Sequence, residues 1–436
     1  MAVNTQHPAQ QQEAPGQPGA ARPARIRARR RTIGASLGFM PVANIIVIEI
    51  GLAIGLILVL VNTALWPVAA GVAGLALVIA LLRRKGRWFT QWCGLVLEYA
   101  MRDHIRVSEP PVTQFDDDET GDRQDDTKLI GGENHRVALL RLAVPGLVVA
   151  SRDDHNHNPV GMAWNNGTWS AVLMVEPTPS LINEIGSDTN LPLSALSGCL
   201  EDRGVVLDSI QVLWHCYPGS AALPANSPAL NAYLDLLGPR PAAARRTTWI
   251  VVRLDPQRCA KAVQERGGGV VGAHRALIGA LSRVRNAMER SGVSTRPLAP
   301  DELLQAGITS AELNDSLRTP RPVGLQERWS GVTAGGVGHT SFAITGWPSQ
   351  MGKPLNEITG VRALSTTIAM EISPSGEPDE VGLRGLVRVS ARVPSELSAA
   401  ETQLQSVSKK VGITLTPLRG LQISGFSSTI PLGGAA

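Results

Sequence analysis

The sequence is poor in cysteine and in the motifs that carry catalysis. Its four thiols, Cys93, Cys199, Cys216 and Cys259, stand far apart, and no two form a CxxC pair. That spacing argues against a disulfide framework or a zinc site and fits reduced, buried thiols in the cytosol. Phosphate loops are absent too: there is no GxxxxGK[ST], and no GxGxxG directly after a strand. The glycine stretches Arg266–Gly269 and Ala334–His339 therefore read as tight turns, although the first precedes a helix whose N-terminus could receive an anion. No HExxH, no Ser/His/Asp arrangement and no supported pair of carboxylates occurs. Trp214, His215 and Cys216 place a histidine beside a thiol, but neighbours on a strand point to opposite faces. Asp153, Asp154, His155 and His157 cluster between two strands, a set that could hold a metal but reads first as a polar turn. No catalytic, cofactor-binding or metal-binding residue is assigned, so an enzyme is not expected.

A basic footprint for nucleic acid is also missing from most of the chain. The first 90 residues hold ten Lys/Arg and two acids, a balance of +8, whereas the whole chain carries +4. Residues 91–436 are therefore net acidic by four charges, and the basic character is confined to one end.

What is present begins with two long apolar runs. Val42 to Asn62 and Leu65 to Leu82 each approach the ~20 residues that a helix needs to cross ~30 Å of hydrocarbon. So few residues part them that a tight transmembrane hairpin is predicted (residues 32–87, helices about 42–62 and 65–82). Arg22, Arg25, Arg27, Arg29, Arg30 and Arg31 precede it, and Arg83, Arg84, Lys85 and Arg87 follow it. Because Lys and Arg mark the cytoplasmic flank, both termini are expected in the cytoplasm, with the chain crossing the membrane as a multi-pass protein. Glu49, a carboxylate inside the first helix, is expected to face protein rather than lipid. Gly51 and Gly55 form a GxxxG that lets another helix approach closely. Arg83, Arg84, Lys85, Arg87, Trp88 and Trp92 are expected to anchor the membrane interface, on an amphipathic helix over 88–106.

Around this anchor the composition changes sharply. Residues 1–31, rich in Gln, Pro, Ala and Arg, are expected to be disordered, with the arginines against anionic lipid. An acidic run from Asp116 to Asp126 reads as a solvated linker over 107–130. Residues 131–436 alternate strand and helix signals, which predicts a mixed α/β (α+β) cytosolic domain, possibly of two subdomains. Arg136 to Ala150 reads as a buried strand, Asn165-Asn166-Gly167 as a hairpin turn, Pro228 to Leu237 as a helix, and the C-terminal stretch as a glycine-rich tail.

The order of these parts, together with particular stretches, resembles the EccE family of actinobacterial type VII (ESX) secretion systems. Arg245-Arg246-Thr247-Thr248-Trp249 running into IVVRLDP, RGGG at Arg266–Gly269 before a helix, and Trp329-Ser330-Gly331 leading to GGVGHTSFAITGWP carry the likeness. The resemblance implies a non-enzymatic subunit that stabilises a membrane complex beside EccB-, EccC- and EccD-like proteins, the EccC-like partner supplying the ATPase. Membrane lipids are the other expected partner. An alternative is a membrane-anchored nucleotide-sugar glycosyltransferase using the acidic run to hold a metal. Such an enzyme needs a DxD at a strand end, whereas these acids sit in a Pro-flanked linker.

Overall fold

The structure is a computed structural model. It describes residues 25–28, 36–37, 40–84, 87–108, 128–130, 134–176, 192–218, 244–318, 321–348, 352–375 and 380–432, with a few isolated positions between 219 and 243. The acidic run, Lys85, most of the arginine-rich start and most of Pro228 to Leu237 lie outside the described residues.

Two membrane-length helices come first, α1 (Val42–Val61) and α2 (Trp66–Leu81). Twenty residues at 1.5 Å each make α1 about 30 Å long. Asn62 closes the hairpin: its side chain accepts from the Ala64 N–H at 2.9 Å, and one 3-10 turn, Thr63–Leu65, leads to Pro67 in the first turn of α2. Fewer than a fifth of the positions in either helix are buried within the chain, whereas a helix in a soluble core hides most of its surface. A short ribbon pairs Arg83 with Trp88, and α3 (Phe89–Met101) follows. The helix expected over 88–106 thus ends at Met101. Arg102 leaves the helical conformation, and Ile105–Val107 joins the sheet instead.

The sheet has fifteen strands: β1 (Arg25–Ala28), β2 (Ile105–Val107), β3 (Lys128–Ile130), β4 (Val148–Asp153), β5 (Pro159–Asn165), β6 (Thr168–Val175), β7 (Ser209–Pro218), β8 (Ala244–Leu254), β9 (Thr295–Pro297), β10 (Gly324–Arg328), β11 (Gly331–Ala334), β12 (Val337–Gly346), β13 (Ser365–Pro374), β14 (Glu380–Ala391) and β15 (Thr414–Pro417). They run in the order β2-β10-β11-β12-β14-β13-β7-β8-β6-β5-β4-β3, with β1, β9 and β15 paired at the sides. Among the described residues every pairing is antiparallel except that of β1 with β14, so the mixed sheet expected from the sequence is mixed there by one strand. That strand falls inside the stretch expected to be disordered, a local departure from the composition argument.

Helices cover both faces. On one lie α5 (Leu193–Ser197), α6 (Ala260–Glu265), α7 (Gly269–Arg290), α9 (Gly352–Thr359) and α10 (Pro394–Lys410). On the other lie α4 (His135–Ala143), α8 (Pro300–Ser310) and α11 (Gln422–Ser427). The alternation along β7 feeds both layers: Ile210, Val212, Trp214 and Cys216 enter the first, Leu213 the second.

Two sequence expectations fail here. Arg136 to Ala150 is mostly the helix α4, capped by the Asn134 side chain, with β4 beginning at Val148. A short apolar run cannot be assigned by periodicity alone, and the cap decides it. The expected tail is α11, buried through Ile423 and Phe426. The β5–β6 hairpin forms as read, with Asn166 and Gly167 at φ 49° and 81°, the left-handed pair of a tight hairpin turn.

Candidate functional site

Three places combine unusual packing with polar groups. The first is the inside of the hairpin. Gly51 and Gly55 are buried because α2 crosses directly over them: a Cβ on Gly51 would collide with the Ala76 methyl, and one on Gly55 would lie 3.2 Å from the Ala69 carbonyl. Ala69, Ala76 and Ala80 form the facing stripe. Gly51 and Gly55 therefore pack within the chain. Glu49, two residues earlier, is exposed on the outer side of α1, away from α2. The buried polar residue of this hairpin is one that sequence reasoning passed over. Asn44 donates to the Ala80 carbonyl at 2.7 Å and accepts from the Thr90 hydroxyl, tying α1, the end of α2 and the start of α3 together. An Asn one turn inside an apolar run was the available signal.

Beyond it, Arg83, Trp88 and Trp92, expected at the membrane interface, lie at the turn and the start of α3. The Arg83 guanidinium lies over the Trp88 ring at 4.6 Å, a cation–π contact. Phe89 and Trp92 stack with ring centres 6.0 Å apart. The Arg84 and Arg87 backbones complete the ribbon.

The second place is the joint between anchor and domain. Arg102 donates to Glu327 at 2.6 Å and to the Gly420 carbonyl at 3.1 Å. Glu327, fully buried, also accepts from the Ile423 N–H at 2.9 Å, while its own N–H donates to the His104 carbonyl at 2.7 Å. A charge-assisted bond to a buried carboxylate is among the stronger polar contacts, about 1.5–3 kcal/mol. Tyr99 packs edge-on against His104 and Trp329, 4.2 and 5.1 Å away. Gly420, at φ 75°, lets the Trp329 ring approach to a distance that any side chain would block. The WSG stretch singled out in the sequence is thus the seat of α3.

The third place is a polar network sealed between the sheet and α8. Arg388 is wholly buried; it donates to the Ser310 carbonyl and to Thr367 Oγ1 at 3.1 Å, and sits 5.0 Å over the Phe426 ring. Burial pulls its guanidinium down to about 10, still cationic at neutral pH. Thr367 also meets His215 Nδ1 at 2.8 Å, and His215 Nε2 faces Glu312 at 3.5 Å. Burial first, and Arg388 second, hold His215 neutral down to about pH 3, so this is not a charged pair. His339, bonded to Ser390 at 2.9 Å, is held neutral for the same reasons. Burial raises the Glu312 carboxyl. Glu312 ends α8 at φ 58°, where glycine is usual, and the Tyr217 hydroxyl donates to it at 3.1 Å. The hydrogen-bond partners of Arg388, His215, His339 and Glu312 lie 21 or more residues away in sequence, so no local pattern could have revealed the set.

The remaining candidates resolve into structure. His215 and Cys216 enter opposite layers. Asp154 accepts from the N–H groups of Asn156 and Asn158, so DDHNHN is a turn. Gly267, Gly268 and Gly269 all have positive φ and form the tight turn into α7. Arg246 of the RRTTW stretch donates to Asn356 and Thr359 of α9. Among the described residues no group of three metal-binding side chains converges.

Fold and site together define a class: an antiparallel α+β domain clamped to a pair of apolar helices. Comparison with known proteins narrows it. Residues 242–344, from β8 into β12, match the sequence model of the family described as a type VII ESX secretion system translocon, EccE. The chain is 28% identical over 176 residues to the ESX-1 secretion system protein EccE1 of Mycolicibacterium smegmatis, covering 36% of this chain and 35% of that one. It is 25% identical over 256 residues to the ESX-5 secretion system protein EccE5 of Mycobacterium marinum, covering 56% of each. The EccE1 of Mycobacterium tuberculosis matches at 25% over 252 residues, 54% of this chain and 44% of that one. The matches thus span from about a third to just over half the length of these curated relatives. The likeness to the EccE family read from the sequence holds.

Proposed function

We propose that this protein is a structural subunit of a type VII (ESX) secretion membrane complex and stabilises its assembly for export across the inner membrane. The observation that carries this reading is the joint. The region that matches the EccE family holds Glu327 and Trp329, the residues that grip Arg102 and Tyr99 at the foot of two membrane-length helices. In this reading α1 and α2 span the bilayer with both termini cytoplasmic, and α3 lies in the interface with Arg83, Arg84, Lys85, Arg87, Trp88 and Trp92 as anchors. Residues 1–31 form a cytosolic tail that lends β1 to the sheet, 107–130 a linker whose two ends belong to β2 and β3, and 131–436 the rest of the cytosolic domain. Glu49, on the outer side of α1, meets a neighbouring helix, since leaving a charged carboxylate in lipid costs about 2.5 kcal/mol or more. EccB-, EccC- and EccD-like subunits are the partners, and this chain is not an enzyme. Nothing in the comparisons supports the glycosyltransferase alternative.

The test is deletion and complementation, scoring both complex recovery in mild detergent and export. Loss of the chain should abolish both; Glu49→Leu should weaken recovery without preventing insertion. Normal assembly with export abolished by a single substitution at His155, His157 or Gly268 would contradict the structural role.

A further inference from the structure

Among the described residues, the sheet corner nearest the anchor is bare on one face. β2 pairs with β10 so that Arg106 lies opposite Leu325, Ile105 opposite Gln326 and Val107 opposite Gly324. Arg106 and Leu325 point to the layer of α4, where Arg106 donates to the Leu142 carbonyl at 3.0 Å. Ile105 and Val107 point the other way, 63% and 62% exposed, and on that face the alternation of β10 adds the exposed Gln326 and Arg328. Among the described residues beyond Arg102, the other exposed large apolar side chains are Leu236, Val270 and Val393, which are scattered. The outer face of α3 is bare as well, with Cys93, Leu97 and Met101 one helical turn apart; Leu97 and Met101 are 58% and 74% exposed. Three residues join these surfaces, and the Arg102–Glu327 and Glu327–His104 bonds hold them in place.

We infer that this corner of the sheet rests on a phospholipid bilayer, the one that α1 and α2 cross. Ile105 and Val107 meet the boundary between headgroups and acyl chains, Leu97 and Met101 extend the contact along α3, and Arg328 meets lipid phosphates. The inference depends on the membrane reading of the hairpin and goes further, because it puts part of the folded domain itself against lipid. Continuity with the hairpin and the apolar run from Leu97 and Met101 to Ile105 and Val107 select lipid as the occupant.

The full chain with Cys93→Ser, carrying a fluorophore at Ile54→Cys, Ile105→Cys, Val107→Cys or Glu396→Cys, is placed in nanodiscs of phosphatidylglycerol and phosphatidylcholine. Lipid-borne nitroxides near the headgroup should quench positions 105 and 107 severalfold more than 396, while a nitroxide at the acyl centre quenches 54. Quenching at 54 with 105 and 107 no different from 396 would overturn the inference and leave the hairpin standing. Protection of 105 and 107 from both lipid and aqueous quenchers would mean that protein covers the patch, a second copy included, and would overturn it equally. No quenching at 54 would remove the membrane reading, and this inference with it.

Discussion

The hairpin and the domain solve packing in opposite ways. Between α1 and α2 the contact is made by glycine and alanine, and the large side chains point outward. In the domain the large side chains are inside, in two layers about one sheet, and a wholly buried cation and three histidines, His215, His274 and His339, are inside with them. Where lipid surrounds a helix, hiding leucine brings little gain, so close backbone approach decides the pairing. Where water surrounds a domain, apolar burial is gained on every strand, and a costly buried charge can be held by the surplus. The joint belongs to both regimes: aromatic rings seat α3, and a single ion pair fixes its direction.

The comparison is broken most severely at Arg388. Arg388→Leu leaves the Ser310 carbonyl and Thr367 without this donor and should destabilise the domain by about 1–3 kcal/mol for each group so stranded, the largest effect of the series, read as a lower midpoint in thermal or denaturant unfolding. Next comes the hairpin. Gly51→Leu drives a side chain into Ala76, and overpacking of this kind costs about 1–3 kcal/mol. Cross-linking between cysteines on α1 and α2 should drop, while unfolding of the domain stays unchanged.

A pH titration sharpens the contrast further. His215 has a folded-state pKa of about 3 against 6.5 when exposed, so the unfolded chain binds the extra proton between those values. Its contribution to stability is present above about pH 6.5 and is lost as pH falls toward 3. Glu312 acts in the opposite sense, its raised pKa being a cost at neutral pH that is relieved on acidification. His215→Gln should therefore give a shallower loss of stability between pH 6.5 and 3. The smallest effect belongs to the surface pair Arg285–Glu289, 2.9 Å apart on α7, where Arg285→Ala should change stability by less than about 0.5 kcal/mol.

These contrasts also explain what could be read in advance. The hairpin follows from hydropathy and charge, which are properties of contiguous residues, and the β5–β6 turn from Asn166 and Gly167, which are local. Asn44 signalled only its place inside an apolar run, and Glu327 and Arg388 were not legible, because the role of each depends on partners brought near by the fold: Ala80 and Thr90, Arg102 and Ile423, Ser310 and Thr367. The misassigned α4 shows the same limit in miniature. Its continuous apolar run suits either a strand or a helix, and only the Asn134 cap separates them. Glu49 drew notice as the lone acid of the hairpin, yet the residue that ties the three helices together is the neutral Asn44.

The account stands on the hairpin spanning the membrane with the domain in the cytoplasm. The most direct measurement labels Thr63→Cys and Glu396→Cys, each in the Cys93→Ser chain, with a membrane-impermeant maleimide on intact cells. Both positions are exposed in the structure. Thr63→Cys should label at once and Glu396→Cys only after permeabilisation. Labelling of Glu396→Cys in intact cells, or protection of Thr63→Cys, would contradict the topology and the role built on it.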